Sequence, residues 1–135
     1  MGSGYLAVIA KALRSSSEGS GAPISGSSGD VANASAVATL AATAGKTTYI
    51  TGFEITGSGA TAALPVVVTV AGVIGGTMTF IYSAAAGALV GNQPLVIEFP
   101  EPVPASAVNT AIVVTCPALG TGNLHSAVVA HGYQL

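Results

Sequence analysis

The sequence predicts an all-β fold, an antiparallel β-sandwich with a jelly roll as the expected topology, preceded by an extended N-terminal arm. From about Ala34 onward, short runs of β-branched and alternating residues are separated by turns rich in glycine and proline, without a long helical period. Half of the 135 residues are hydrophobic, but Ala, Val and Gly dominate over three Phe, four Tyr and no Trp. Such small side chains suit the thin core between two close-packed sheets. The length allows one domain of ordinary size.

Residues 1–34 are predicted to form the arm, and residues 35–135 the sandwich domain. The run GYLAVIAKALR places apolar side chains with roughly helical recurrence, and the following SSSEGSGAPISGSSGD is rich in Ser and Gly. Because a Ser/Gly segment cannot bury enough apolar surface to order itself, we expect it to be flexible alone and held by neighbouring chains in an assembly. A secretory signal would carry its positive charge before the apolar run, whereas Lys11 and Arg14 follow it.

The apolar side chains of this arm are the candidate contacts with neighbouring subunits. A few buried aromatic and aliphatic groups usually carry most of the energy of a protein interface. Packing into the core of the chain itself is the alternative for each of them. The five candidates are Tyr5, Leu6, Val8, Ile9 and Leu13.

Two strands are predicted at the start of the sandwich. SAVATLAAT forms the first, and Ala-Gly-Lys at 44–46 forms the turn after it. TTYITGFEIT alternates and forms the second, which ends at the Gly-Ser-Gly segment 57–59. Strict alternation gives this strand two faces. One face carries Tyr49, Phe53 and Ile55, and the other carries Thr48, Glu54 and Thr56.

A hairpin is predicted in the middle of the chain. In PVVVTVAGV, the residues Val66, Val68 and Val70 share one face of a strand. Gly75 and Gly76 then turn the chain into TMTFIYS, because paired glycines accept the backbone angles of tight hairpin turns.

Three further strands complete the prediction. QPLVIEF alternates, with Glu98 outward, and PEPVP is expected to end it because proline cannot donate to a ladder. The inward residues of this strand are Leu95, Ile97 and Phe99. NTAIVVTC and LHSAVVAHGYQL follow, separated by Pro117 and the turn at 120–122. About seven short strands joined by glycine-rich turns are typical of a sandwich or jelly roll.

The chain is poor in charge, with three Lys and Arg, five Asp and Glu, and a net charge of −2. Ordinary domains carry about a quarter charged residues, so we expect much of this surface to be covered rather than exposed to bulk water. No stretch approaches the roughly 20 apolar residues of a membrane-spanning helix. The clustered Lys and Arg of a nucleic-acid interface are also missing. The sequence therefore predicts a protein partner, not a membrane or nucleic acid.

Two patterns that resemble catalytic or nucleotide sites fail on inspection. AGKTT resembles the end of a phosphate-binding loop, but that motif requires glycine where this chain has Leu40, and a strand follows instead of a helix. Glu98 and Glu101 could suggest a glycosidase pair, but a proline-rich turn begins between them and no Trp is present to stack a sugar. Solvated carboxylates, or ion pairs with a neighbouring subunit, are the expected roles.

The remaining reactive side chains are interpreted as structural. His125 and His131 lie on the same face of one strand, about 20 Å apart at roughly 3.3 Å per residue, so they cannot ligate one metal within a subunit. A symmetry axis could pair copies of either histidine, although a structural role is the expected one. Cys116 shares a strand face with Ile112 and Val114 and is predicted to be a buried, inert thiol. We therefore expect no enzyme activity, no metal and no cofactor.

Two segments resemble small virion proteins of tailed bacteriophages. They are KTTYITGFEITGSGAT and VIEFPEPVPASAVNTAIVVTCPALGTGNLHSAVVAHGYQL, within residues 45–135. In those proteins an apolar strand, a proline-rich corner, Asn-Thr, a strand, a glycine-rich turn and a strand ending in Gly-Tyr close a β-sandwich. In size and character the chain is most similar to the capsid decoration, or cement, class.

The resemblance implies a jelly-roll protein that binds the outside of an icosahedral shell and bridges capsomers. Its implied partners are the major capsid protein and further copies of itself, as a homodimer or homotrimer, and its implied location is the exterior of a virion made in a bacterial cytoplasm. The alternative is a module of a phage tail, fibre or baseplate that binds a host glycan, since the same sandwich serves both roles. Poverty in aromatic residues disfavours that alternative.

Overall fold

The structure, a computed structural model, describes residues 21–62 and 64–135. These residues form eight β-strands, and no helix among them is long and apolar enough to cross a bilayer. The strands are β1 (Ala22–Ser27), β2 (Ala36–Leu40), β3 (Thr48–Ser58), β4 (Pro65–Ala71), β5 (Met78–Ser83), β6 (Leu95–Pro104), β7 (Ile112–Cys116) and β8 (His125–Gln134).

The strands build two antiparallel four-stranded sheets that pack face to face. The first sheet has the order β1-β8-β3-β6, and the second sheet has the order β2-β7-β4-β5. The pairs are nested along the chain, because β4 pairs with β5, β3 with β6, β2 with β7 and β1 with β8. One long hairpin rolled up on itself produces this order, which is the eight-stranded jelly roll. The predicted antiparallel sandwich and its topology are confirmed.

The core between the sheets is made mainly of small and branched side chains. In the second sheet, the inward positions of β2, β4 and β7 alternate with exposed or half-buried ones, as the period of a half-buried strand requires. The predicted shared face of Val66, Val68 and Val70 is buried. Other fully buried side chains include Leu40, Ile50, Ile55, Ile112, Val114 and Val128.

All three phenylalanines of the chain meet in this core. Phe53 of β3 is fully buried, and its ring centroid lies 5.3 Å from that of Phe80 and 6.3 Å from that of Phe99. Because Phe80 belongs to the second sheet and Phe99 to the first, the cluster joins the two sheets where β5 and β6 form their edges. Ring pairs at these separations add to the energy of apolar burial.

The β-sandwich begins earlier than the predicted boundary at residue 35. Strand β1 lies inside the segment assigned to the arm and pairs with β8 over its whole length, from Ala22 opposite Gln134 to Ser27 opposite Val129. A Ser/Gly segment can order here because the ladder satisfies its backbone groups and Ile24 packs against the core. The candidate arm contacts Tyr5, Leu6, Val8, Ile9 and Leu13 lie outside the described residues.

The predicted faces of β3 are wrong on one side of a β-bulge. The register shifts between Ile50 and Gly52, so Thr51 is an extra residue that reverses the alternation. As a result Thr48 is buried and accepts a hydrogen bond from Gln134 Nε2 at 3.1 Å, while Tyr49 is half-buried. Phe53 and Ile55, on the other side of the bulge, are buried as predicted, with Glu54 and Thr56 facing outward.

The proline-rich segment PEPVP does not end its strand, contrary to the prediction. Strand β6 continues to Pro104, with Gly52 of β3 opposite Glu98 and Ile50 opposite Val103. Between these two pairs, Thr51 of β3 lies opposite four residues of β6, so residues 99–102 leave the regular ladder. Since β6 is also an edge strand, prolines are tolerated where no partner requires their missing N–H. The inward positions of Leu95, Ile97 and Phe99 are confirmed by their packing against the core.

Candidate assembly surface

The five charged side chains of the described residues lie on strands of the first sheet or in loops that connect the two sheets. Glu54 lies on β3, and Glu98 and Glu101 lie on β6, all in the first sheet. Asp30 follows β1 and contacts β8 through a histidine, and Lys46 precedes β3. The four strands of the second sheet contain no charged residue. The two outer faces of the protein therefore differ sharply in polarity.

The outward face of the second sheet, named here the uncharged face, consists of aliphatic, proline and hydroxyl side chains. They occupy the positions that alternate with the buried residues of β2, β4, β5 and β7. The residues of this face are Val37, Thr39, Pro65, Val67, Thr69, Ala71, Thr79, Ile81, Ser83, Val113 and Thr115. The larger apolar side chains are well exposed, at 42% for Val37, 48% for Val67 and 65% for Ile81.

Strand register arranges these side chains in rows across the uncharged face. Thr115 of β7 lies between Val37 of β2 and Thr69 of β4, and Thr69 is also paired with Thr79 of β5. Each threonine offers a methyl group for apolar contact and a hydroxyl that can donate or accept a hydrogen bond without charge. Val67 lies opposite Ile81. The arrangement suits contact with another protein surface that is itself uncharged.

The outward face of the first sheet carries charged side chains beside Val96, Ala127 and Val129, and its histidines are paired separately. His131 Nε2 lies 2.7 Å from Glu54 Oε2, and His125 Nδ1 lies 2.9 Å from Asp30 Oδ1. All four side chains are partly exposed, so each pair contributes little to stability. The two histidines thus contact different carboxylates. No group of three His, Cys, Asp or Glu within residues 21–62 and 64–135 could hold a metal ion.

Two shallow cavities lie away from the uncharged face. One of about 340 Å³ lies beside the His125–Asp30 pair, over the ends of β3 and β8. The other, of about 320 Å³, lies among the loops that follow β3, β5 and β7 and is lined mainly by small uncharged residues. The first cavity is lined by the His125–Asp30 pair and by the hydroxyl residues Thr56, Ser58 and Ser126, and the Ser126 hydroxyl donates to the carbonyl oxygen of Val31. Glu98 and Glu101, which were considered as a carboxylate pair, are both exposed on β6.

Sequence reasoning missed the uncharged face as a site, although a signal for it is present. Between Glu54 and Glu98 the chain contains no charged residue and no histidine, and this stretch includes β4 and β5. The other two strands of the second sheet also lack charge. Each stretch alone is unremarkable, because only the strand order brings them to one surface.

Cys116 is buried in the core on β7, together with Ile112 and Val114 as predicted. Its Sγ is 3.5 Å from the carbonyl oxygen of Pro117, and burial raises the pKa of the thiol to about 11. Because the thiolate is the reactive species, this environment makes the thiol inert at neutral pH.

We expect the folded protein to react with a maleimide at pH 7.5 more than about tenfold more slowly than the protein unfolded in urea. Reaction requires both exposure of the sulfur and loss of its proton, and the fold opposes both. Mass spectrometry of samples quenched over time measures the two rates. Equal rates would contradict the buried position of Cys116.

No protein-family model, curated protein or solved structure matches this chain.

Proposed function

We propose that this chain is a structural virion protein that binds the outside of a bacteriophage capsid and stabilises the shell by bridging capsomers. The observation that carries the proposal is the uncharged face, opposite a sheet whose strands carry Glu54, Glu98 and Glu101. A face exposed to bulk water gains solubility from charge, whereas a face that is covered in the assembled state is better without it. The protein partner is the major capsid protein.

The physical reason is the cost of removing polar groups from water. Burying an unpaired charge in an interface is expensive, and burying apolar and hydroxyl side chains is not, provided that the hydroxyls find partners. The row of threonines on β4, β5 and β7 can form neutral hydrogen bonds, while Val37, Val67 and Ile81 contribute apolar area. This composition matches the core of protein interfaces, which is depleted in charged residues.

Two further points support the same proposal. The jelly roll is a common architecture of viral capsid domains, although it also occurs in lectins and other proteins. The segments that resemble small phage virion proteins include all of β3, β7 and β8 and all of β6 except Leu95. The candidate arm contacts at residues 5–13 belong to the proposal as additional anchors on neighbouring subunits.

Binding of this kind stabilises a shell by mass action. A protein that binds the assembled lattice, but not its separated parts, adds its binding free energy to the stability of the lattice. Repetition over a symmetric shell multiplies contacts that are individually weak. No catalytic group or cofactor is needed for this role.

A reconstruction of the virion that contains this chain tests the proposal directly. We expect many copies on the outside of the head, with the uncharged face toward the capsid protein. A few copies at the tail, with glycan binding on an array, would instead support the tail or fibre alternative. Absence of the chain from purified virions would overturn both.

A further inference from the structure

Within residues 21–62 and 64–135, no backbone group pairs with the outer edge of β5 in the second sheet. Strand β5 pairs with β4 from Met78 opposite Val70 to Ser83 opposite Pro65, without a register shift, and β5 is the last strand of the sheet. Half of its backbone N–H and C=O groups therefore point away from the sheet. The strand, MTFIYS, contains no proline and no charge. Natural proteins normally protect such an edge, because it can pair with another strand.

The other three edges of the sandwich are protected. Strand β6 carries three prolines, two glutamates and an irregular register. Strand β1 contains Pro23. Strand β2 is only five residues long, and β1 packs so closely against it that a Cβ on Gly26 would collide with the backbone of Thr39. Among the described strands, β5 alone lacks these devices.

We propose that two copies of this chain pair through β5, antiparallel about a two-fold axis perpendicular to the second sheet, and form one continuous eight-stranded sheet. A second copy is the natural occupant, because the same edge serves both partners and the contact closes at two chains. Strand-to-strand pairing over six residues would form about six backbone hydrogen bonds. Neither copy would bring a charge to the junction.

The area of the uncharged face also favours a pair. Four strands about 4.8 Å apart and about 20 Å long present roughly 400 Å². Stable protein interfaces bury about 800 Å² on each partner, so one face alone is small for a capsid contact. The proposed pairing places the two uncharged faces side by side on the same surface and doubles that area.

Geometry restricts the register of the junction. Residues directly opposite each other in an antiparallel pair face the same side of the sheet, so outward residues must meet outward residues. The outward residues of β5 are Thr79, Ile81 and Ser83, of which Ile81 is 65% exposed in the single chain. Pairing Ile81 with its own copy, or with Thr79 of the other copy, covers this side chain.

The molar mass of the 135-residue chain in solution tests the pairing. At about 50 μM we expect light scattering after size exclusion to give twice the chain mass of 12.9 kDa. Ile81→Lys should reduce the mass to that of one chain, since it places two ammonium groups at the junction. Val67→Lys is the matched control, because Val67 lies opposite Ile81 on the same face but on the inner strand β4, and this variant should remain a dimer. Circular dichroism checks that both variants fold.

Every other outcome overturns the proposal. A single-chain mass for the unmodified protein would show that β5 does not pair with itself, and a trimer would contradict the two-fold axis. Loss of the dimer in both Ile81→Lys and Val67→Lys would indicate that the two copies pack through their uncharged faces instead of through the edge of β5. A dimer that persists in Ile81→Lys would place the contact elsewhere.

Cross-linking supplies a second measurement that is independent of stability. Opposite residues in an antiparallel pair have Cα atoms about 4.5–5.5 Å apart, within the range that a disulfide spans. We expect Ile81→Cys, or Ile81→Cys mixed with Thr79→Cys, to form disulfide-linked dimers under mild oxidation, and Val67→Cys to form none. Cys116 is buried and does not compete. The dimer would form in purified protein whether or not the chain binds a capsid, so the two proposals fail separately.

Discussion

Replacing Phe53 by alanine is expected to lower the free energy of unfolding by about 3–5 kcal/mol. Phe53 is fully buried, and its ring contacts Phe80 across the two sheets and Phe99 on the neighbouring strand. The surrounding core consists largely of alanine and valine, whose short side chains cannot move into the space that the ring leaves. A loss of this size is a large part of the total stability of a typical domain, about 5–15 kcal/mol.

Urea unfolding followed by circular dichroism at one fixed protein concentration measures this change. Phe53→Leu should cost less than Phe53→Ala, because leucine refills part of the volume. Val96→Ala is the control on the same sheet, and since Val96 is 55% exposed it should change the free energy by less than about 0.5 kcal/mol. If Phe53→Ala and Val96→Ala had the same effect, the phenylalanine cluster would not be the centre of the core.

Val67→Lys is expected to weaken binding to the capsid at least tenfold, a free-energy change of about 1.4 kcal/mol. Val67 lies on an inner strand of the uncharged face, which the proposed function covers with the capsid protein. A lysine there must lose water without gaining a carboxylate from this face. Its flexible chain can move the ammonium toward the rim, which limits the cost.

Co-sedimentation with capsids that lack the protein measures the dissociation constant of each variant. Val96→Lys is the matched control, because it introduces the same charge at a similarly exposed valine on the opposite face, in the sheet that already carries charges. It should bind like the unmodified protein. Equal affinities for Val67→Lys and the unmodified protein would show that the uncharged face is not the contact.

Local patterns predicted much of the fold correctly. Alternation identified the inward faces of β4, β6 and β7, including the buried Val68 and Cys116 and the half-buried Ile97, since side chains in a regular strand alternate strictly between two faces. The paired glycines correctly indicated the β4–β5 hairpin, and both have positive φ angles, 85° at Gly75 and 101° at Gly76.

The predictions failed where a distant partner overrides the local pattern. The sequence of β1 predicts a flexible Ser/Gly linker. In the structure its backbone is ordered instead, because it pairs with β8 at the other end of the chain. Thr48 was assigned outward because the bulge at Thr51 is specified by the register with two neighbouring strands. Pro104 remains in a strand because β6 is an edge, a property of the sheet order rather than of the residue.

The sequence alone determines three features, because each depends on composition or on neighbouring residues. They are the low charge of the chain, its small apolar side chains and the alternation along its strands. The sequence alone does not determine that one face of the sandwich is uncharged, since this depends on which strands become neighbours in space. Nested pairing brings β1, β3, β6 and β8 into one sheet and β2, β4, β5 and β7 into the other. Long-range backbone hydrogen bonds between these strands create the uncharged face and leave β5 at its open edge.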